Sequence, residues 1–370
     1  MQYIMKKLLY IFLVLLTSCA TQMSTLQTTV ETAPKGKLSE FFSGYRYVML
    51  ETNEKCVLYN YNKLKVNDKY ISVVDQDKIF LFNNKSGKFV SVINHKGHGH
   101  GEYIEVTDYD IYNDKVWIYS GAQRALFIYD KSGKYLKKIN LNDYYSRIKV
   151  IDDKKVFFSP SYSNNSGYNF VLYDIENQKV LKQFDSFDKN QGLIFSTFND
   201  FLSCNGNNIY VSHPFDNTLY KLTEDDYYPI ETFDFITKDK LTSEELLLDR
   251  ELIINITRQR SVFKNLSLYY KSEHFSLLGY TVTDEFGGCY YITRLKEDGS
   301  QTTVRLLAEL DETFPYISDI SCIYNDEFVS SMNSSSITYI ETNYDIDKKF
   351  MNSGYSKEDN PIVFFHKIKK

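Results

Sequence analysis

A repeat of 46 positions constrains this chain more than any other feature. Asn67-Asp68-Lys69 leads the strand-like run Tyr70-Ile71-Ser72-Val73-Val74, then Lys78-Ile79-Phe80-Leu81-Phe82, then Lys85-Ser86-Gly87-Lys88. Shifted by 46 positions and without a gap, Asn113-Asp114-Lys115 leads Val116-Trp117-Ile118-Tyr119, then Arg124 to Tyr129, then Lys131-Ser132-Gly133-Lys134. Ser-Gly-Lys between apolar runs is hairpin chemistry, because Gly supplies the positive φ of a tight turn. Weaker copies begin at Asp152-Asp153-Lys154, Asn207-Asn208, Gly287-Gly288 and Asn325-Asp326, which makes six units. Each reads as turn, strand, short loop, strand, tight turn, strand.

A lone sheet of this kind exposes an apolar face and two open edges. Placing the sheets radially buries both faces of each on its neighbours, and a blade of ~40–50 residues matches the period. The predicted fold is therefore all-β, a six-bladed β-propeller of four-stranded antiparallel blades over residues 38–370. A β-sandwich would explain strands and turns but not a repeat at this spacing. The terminal segments are expected to share a blade, with Pro361 to Lys369 paired near Val48-Met49-Leu50 or Tyr59. One segment breaks the pattern. Thr242 and Glu245 stand at capping-box spacing before Leu246-Leu247-Leu248, and later apolar positions follow helical spacing. This predicts a helical insertion over about 242–263, between the fourth and fifth units.

The N-terminus has its own grammar. Lys6-Lys7 precedes an apolar run from Leu8 to Leu16, and Leu16-Thr17-Ser18-Cys19 closes it. That order is a secretory signal, and the run is shorter than the ~20 residues a spanning helix needs. Cys19 just after small residues is a lipobox pattern, in which the thiol is acylated. Residues 1–18 are read as a lipoprotein signal peptide and 19–37 as the lipidated Cys and a flexible tether, rich in Thr, Gln and Ser. Ala20 in place of Asp points to an outer-membrane lipoprotein, on the periplasmic face by preference, with cell-surface exposure left open.

Composition excludes some classes. The net charge of −5 is spread along the chain with no basic stripe, so no nucleic-acid partner is expected. The 32 Tyr and 26 Phe favour strands, and also supply faces on which sugars stack. Cys56, Cys204, Cys289 and Cys322 lie in or beside strand-like runs without C-x-x-C spacing, so buried free thiols are favoured over disulfides.

The stretch Asn94-His95-Lys96-Gly97-His98-Gly99-His100-Gly101-Glu102-Tyr103, followed by Ile104 and Asp108-Tyr109-Asp110-Ile111, resembles a family loop. It is similar to the G-x-G-P-G-E-Y loop of six-bladed β-propeller lipoproteins of Gram-negative bacteria. Leu50-Glu51-Thr52 and the final strand from Pro361 also match, while His100 stands where the family has Pro. The resemblance implies a fold similar to the NHL-type propeller and no settled activity. Read by themselves, Gly97, Gly99 and Gly101 make a tight inter-blade turn, with Glu102 accepting backbone hydrogen bonds beside Tyr103. Gly99 and Gly101 are expected at φ > 0, which a β-branched residue resists. His95, His98 and His100 are a candidate metal set, since His is the commonest metal ligand. A zinc site needs three or four ligands and a fixed second shell, so an incidental substitution is favoured. Asp185, Asp188 and Asn190 before Gly192 lack the ligand order of a Ca²⁺ loop.

Two functional classes remain. The first is a lipid-anchored, non-catalytic binding or scaffold propeller, a monomer without a cofactor, taking a protein, peptide or glycan on one face or in the channel. The second is a propeller enzyme of lyase, lactonase or glycosidase type with its site at the central channel. The first is favoured because no catalytic residue can be nominated, and no acid, base or metal cluster is read as recurring on the innermost strands.

Overall fold

The computed structural model describes residues 25–160, 166–187, 201–205, 208–248, 250–284, 288–306, 321–333, 355–356 and 358–370. Two early strands, β1 (Leu26–Glu31) and β2 (Phe42–Met49), flank a short helix α1 (Leu38–Phe41) and join blades completed much later in the chain. Blade 1 contains β3 (Asn62–Val66), β4 (Tyr70–Asp75), β5 (Lys78–Asn83) and β6 (Phe89–Ile93). Blade 2 contains β7 (Asp108–Tyr112), β8 (Lys115–Ser120), β9 (Ala125–Asp130) and β10 (Tyr135–Asn140). Blade 3 contains β11 (Tyr145–Val150), β12 (Lys155–Pro160), β13 (Tyr168–Asp174) and β14 (Lys179–Ser186). Blade 4 contains β15 (Phe201–Asn205), β16 (Asn208–Val211), β17 (Thr218–Leu222) and β18 (Tyr227–Ile236). Blade 5 contains β19 (Phe263–Lys271), β20 (Phe275–Val282), β21 (Cys289–Lys296) and β22 (Gln301–Arg305). Blade 6 contains β23 (Cys322–Tyr324), β24 (Glu327–Met332) and β25 (Ile362–Ile368), with β2 as its outermost strand.

The six blades close a ring, and six apolar cores seal the joints between consecutive blades. Between blades 1 and 2 the core includes Ile79, Ile93, Tyr103, Tyr109 and Phe127. Between blades 6 and 1 it includes Val48, Leu64, Phe82, Val363 and Phe365, which is where the ring shuts. The expected sharing of a blade by both termini is seen in the register: Val48 lies opposite Val363 and Met49 opposite Ile362. Tyr59 lies on the connection to blade 1 instead, where its amide donates to Asp75 Oδ2 at 3.0 Å.

The turn grammar holds in detail. Asn113-Asp114 and Asn325-Asp326 take consecutive positive φ values near 50–60°, as a type I′ hairpin requires, and Gly133 sits at φ 87°. Each turn carboxylate also receives a donor from the preceding blade. Asp114 accepts from Lys69 Nζ at 2.9 Å and Tyr70 OH at 3.0 Å. Asp153 accepts from Lys115 Nζ at 2.7 Å, Asp326 from Tyr270 OH at 2.8 Å and Asp68 from Tyr324 OH at 2.8 Å.

Three expectations need correction. The tether expected over 19–37 is structured from Leu26: β1 pairs in parallel with β18 as a fifth strand of blade 4. Val30 enters the core between blades 4 and 5 beside Phe233 and Phe235, and the outer edge of β18 is thereby covered. The insertion over 242–263 is shorter than expected. A 3-10 turn at Glu245–Leu247 precedes a separate helix α2 (Arg250–Arg258). The Thr242 and Glu245 capping box does form, with amide-to-side-chain distances of 2.9 and 3.2 Å, but it caps that turn. In the fifth unit, the strand after Gly288 is the third of its blade, preceded by the long β19–β20 hairpin. Cys56, Cys289 and Cys322 are free thiols, and the side chain of Cys204 lies outside the described residues.

Candidate functional site: the inner strands and the inter-blade loop

The first strand of each blade faces the axis, and these inner strands lie against one another around it. An inner strand has one unpaired edge, whose N–H and C=O groups need partners. On blades 2 and 3 side chains of the preceding blade provide them. Lys63 Nζ donates to Thr107 O, and Lys65 Nζ donates to Tyr109 O, both on the neighbouring blade. Asp108 Oδ2 accepts from the Ile148 amide and Asp110 Oδ2 from the Val150 amide, each at 2.9 Å, one blade further on. Lys65 also pairs with Asp108 at 3.4 Å, and Lys149 with Asp110 at 3.2 Å.

Charged residues at i and i+2 therefore recur on three consecutive inner strands: Lys63 and Lys65, Asp108 and Asp110, Arg147 and Lys149. This corrects the expectation that no such cluster recurs. Hairpin strands with apolar runs dominate the repeat signal, whereas inner strands are short and mixed. Burial would raise the Asp110 carboxyl, but Lys149, Lys65 and the Val150 and Ile111 amides outweigh it and hold it below the usual range. Cys322, on the inner strand of blade 6, is pushed up to about 12 by burial and is a poor nucleophile. Asp108 and Asp110 thus join blades, each carboxylate engaged by a backbone amide of blade 3 and by a lysine.

The loop from Asn94 to Thr107 carries the chain from the outer strand of blade 1 to the inner strand of blade 2. The Gly97 amide donates to Tyr103 O at 2.9 Å, and the Tyr103 amide to His95 O at 3.0 Å. The Glu102 carboxylate folds back to accept the Gly99 amide at 2.7 Å. Tyr103 is buried, and its hydroxyl donates to Asp77 O at 2.8 Å in blade 1, while Tyr129 OH of blade 2 donates to Gly101 O at 2.6 Å. Among the three glycines only Gly101 has positive φ, at 73°, which corrects the expectation for Gly99. A Cβ on Gly97 would fall 2.0 Å from Glu102 Oε2, and one on Gly99 3.0 Å from it. Close approach, not φ, is the constraint there.

The histidines take separate positions. His95 donates from Nε2 to Gly133 O at 2.7 Å and stacks on Tyr129 with ring centroids 5.1 Å apart. His100 meets the Tyr135 ring edge-on at 5.1 Å, and His98 is exposed. Among the described residues no three His, Cys, Asp or Glu side chains are grouped to hold a metal ion. The family model described as "Domain of unknown function (DUF4934)" matches residues 22–367. The chain belongs to the DUF4934 family.

Solved structures share the fold of this DUF4934 chain. One is BF0058 of Bacteroides fragilis, a protein named as exported by inference. It is 18% identical with a TM-score of 0.75, and the match covers 93% of this chain and 100% of that one. Another is a member of the duf4221 family from Bacteroides vulgatus, 12% identical with a TM-score of 0.54, covering 88% of this chain and 97% of that one. No curated protein matches the chain.

The DUF4934 propeller also holds a polar cluster that sequence reasoning missed, between blades 3 and 4. His213 Nε2 lies 3.0 Å from Asp185 Oδ2 and 2.9 Å from Tyr227 OH, and Asn169 Nδ2 donates to the same Asp185 oxygen at 2.7 Å. Tyr220 stacks on Tyr227 at 4.9 Å and donates to Asp216 Oδ2 at 2.8 Å. Burial, then the nearby Asp185, raises the Tyr227 hydroxyl far above its ordinary value. Asp185 itself takes φ 58°. These residues come from four strands and a turn, so no spacing in the sequence could have joined them. Of the weak Ca²⁺ pattern, Asp188, Asn190 and Gly192 lie outside the described residues, as does Cys19.

Proposed function

We propose that this chain is a lipid-anchored, non-catalytic binding or scaffold propeller of the cell envelope, related to the lipoprotein propellers of NHL type, whose partner is a protein, peptide or glycan. The engagement of Asp108 and Asp110 in contacts between blades carries the reading. A channel built for acid–base chemistry needs a carboxyl group poised to exchange protons with substrate, whereas these two bridge neighbouring blades. The signal-like N-terminus ending at Cys19 and the inferred export of BF0058 support an envelope location, with acyl chains in the outer membrane and the propeller on its periplasmic side. No helix among the described residues is long and apolar enough to cross a membrane.

One observation favours the enzyme class: the Asp185, His213 and Tyr227 cluster brings an acid, a base and a hydroxyl within hydrogen-bond reach. Purified protein comprising residues 25–370 should be tested on chromogenic glycosides, lactones and polyuronates. The binding reading expects no turnover. Turnover abolished by Asp108→Asn would place an active site in the channel, and turnover abolished by His213→Asn would place one between blades 3 and 4. Either result overturns the non-catalytic reading.

A further inference from the structure

The N-terminal strand does more than cover an edge. Thr28 Oγ1 donates to Glu231 Oε1 at 2.6 Å in blade 4. Gln301 Nε2 of blade 5 donates to Thr29 O at 2.6 Å, and Thr303 Oγ1 to Glu31 O at 2.8 Å. β1 is therefore fastened along the seam between blades 4 and 5. Seven peptide steps separate Leu26 from Cys19, a reach of at most about 25 Å when fully extended. An acyl group on Cys19 would hold this seam close to a bilayer. In a six-membered ring, the seam between blades 1 and 2 lies opposite.

Exposed apolar side chains lie on the same elements. Leu26 opens β1 at 62% exposure, and Ile236 closes β18, opposite Glu31, at 50%. Leu248, Leu252 and Ile254 are exposed on the insertion that links blade 4 to blade 5. That insertion is fixed in place: the Asp239 amide donates to Ser261 O at 3.0 Å, and Thr283 Oγ1 of blade 5 donates to Arg260 O at 2.7 Å. Ile253, within α2 itself, is buried.

We infer that the seam between blades 4 and 5, with α2 and its preceding turn, is a lipid-facing surface that rests on the bilayer. It rests on the acylation of Cys19 proposed above, and it leaves the loop at blades 1 and 2 as the outward side. Apolar side chains at a lipid interface add to the acyl chains, because stable anchoring commonly combines two signals.

Amide hydrogen exchange tests this. The acylated protein on vesicles of phosphatidylethanolamine and phosphatidylglycerol is compared with unacylated residues 20–370 in buffer. Residues 245–258 should gain protection on vesicles, β10 on blade 2 should gain none, and Leu252→Glu with Ile254→Glu should abolish the gain while the protein still floats with the vesicles. Protection at β10, or none at 245–258 in a protein that floats, would overturn the surface and leave the anchor intact. A mass spectrum showing no acyl group on Cys19 would overturn the anchor, and the surface with it.

Discussion

The seams on opposite sides of the ring, between blades 1 and 2 and between blades 4 and 5, are sealed by different means. At the first, the seal is written into the repeat. The Asp114 turn accepts from Lys69 and Tyr70 one unit back, the inner strands exchange Lys and Asp contacts, and the 95–103 loop pins Tyr103 into blade 1. At the second, a strand from outside the repeat lies along the joint, and an insertion caps it. A repeat can encode its own joints only while its spacing is kept. Where the spacing is interrupted, non-repeating chain covers the gap.

The largest effect should come from the joint that both seams depend on. Deleting residues 362–370 removes β25, the strand paired with both β2 and β24, so blade 6 loses its centre. The whole domain should fail to fold; a cooperative melt at the wild-type temperature would show that the ring closes otherwise. Next, Gly101→Val places a β-branched residue at φ 73°, with its Cβ 2.8 Å from the Tyr135 ring. Strain and clash together should cost about 3–4 kcal/mol, read by denaturant melts. Gly99→Val has no such φ and should cost less. Equal losses would remove the distinction between the two glycines.

Asp110→Asn should cost about 2 kcal/mol at pH 7, by weakening two charge-assisted contacts at the inner edge. Because the folded Asp110 carboxyl is held below its ordinary value, its contribution is full above about pH 4 and is lost as pH falls toward the lower folded value. The gap between wild type and variant should therefore narrow in acid, and a constant gap would mean that packing dominates. At the opposite seam, Val30→Ala should cost about 1–2 kcal/mol. Its loss of exchange protection should be confined to β18 and β22, leaving β4 and β8 unchanged. Protection lost all round the ring would show that β1 is part of the global fold rather than a local seal.

The smallest effect is expected at the histidines. Replacing His95, His98 and His100 together with Asn should change stability by about 0.5–1 kcal/mol, mostly through the His95 hydrogen bond to Gly133. A chelator should not move the wild-type melt. A chelator-sensitive wild type beside an insensitive triple variant would restore the metal reading.

Legibility in the sequence followed burial. In blades 1 and 2 the second and third strands, β4, β5, β8 and β9, are covered on both faces and read as largely apolar runs. The inner strands β3, β7 and β11 mix charge with apolar residues at a period of two, and are legible only where Asp108 to Ile111 follows the family-like loop. The 26–31 segment reads as a tether because its Thr and Gln carry no apolar period. Buried Val30, the edge of β18 and side-chain hydrogen bonds from Thr28, Gln301 and Thr303 order it.

What the sequence determined alone was the repeat: which residues turn, which pairs of strands form hairpins, and how many units the chain supplies. Those choices are local, set by φ preferences and by apolar runs that read the same in any context. Tertiary structure decided the rest, including that Lys65 meets Asp108 and Tyr109, that His213 meets Asp185 and Tyr227, and that the N-terminal strand lies along blade 4. The Lys65 contacts and the His213–Asp185 contact form only when blades pack side by side, and Thr28 of β1 reaches Glu231 of β18 across 203 positions, so their chemistry depends on the ring and leaves no spacing for a sequence to display.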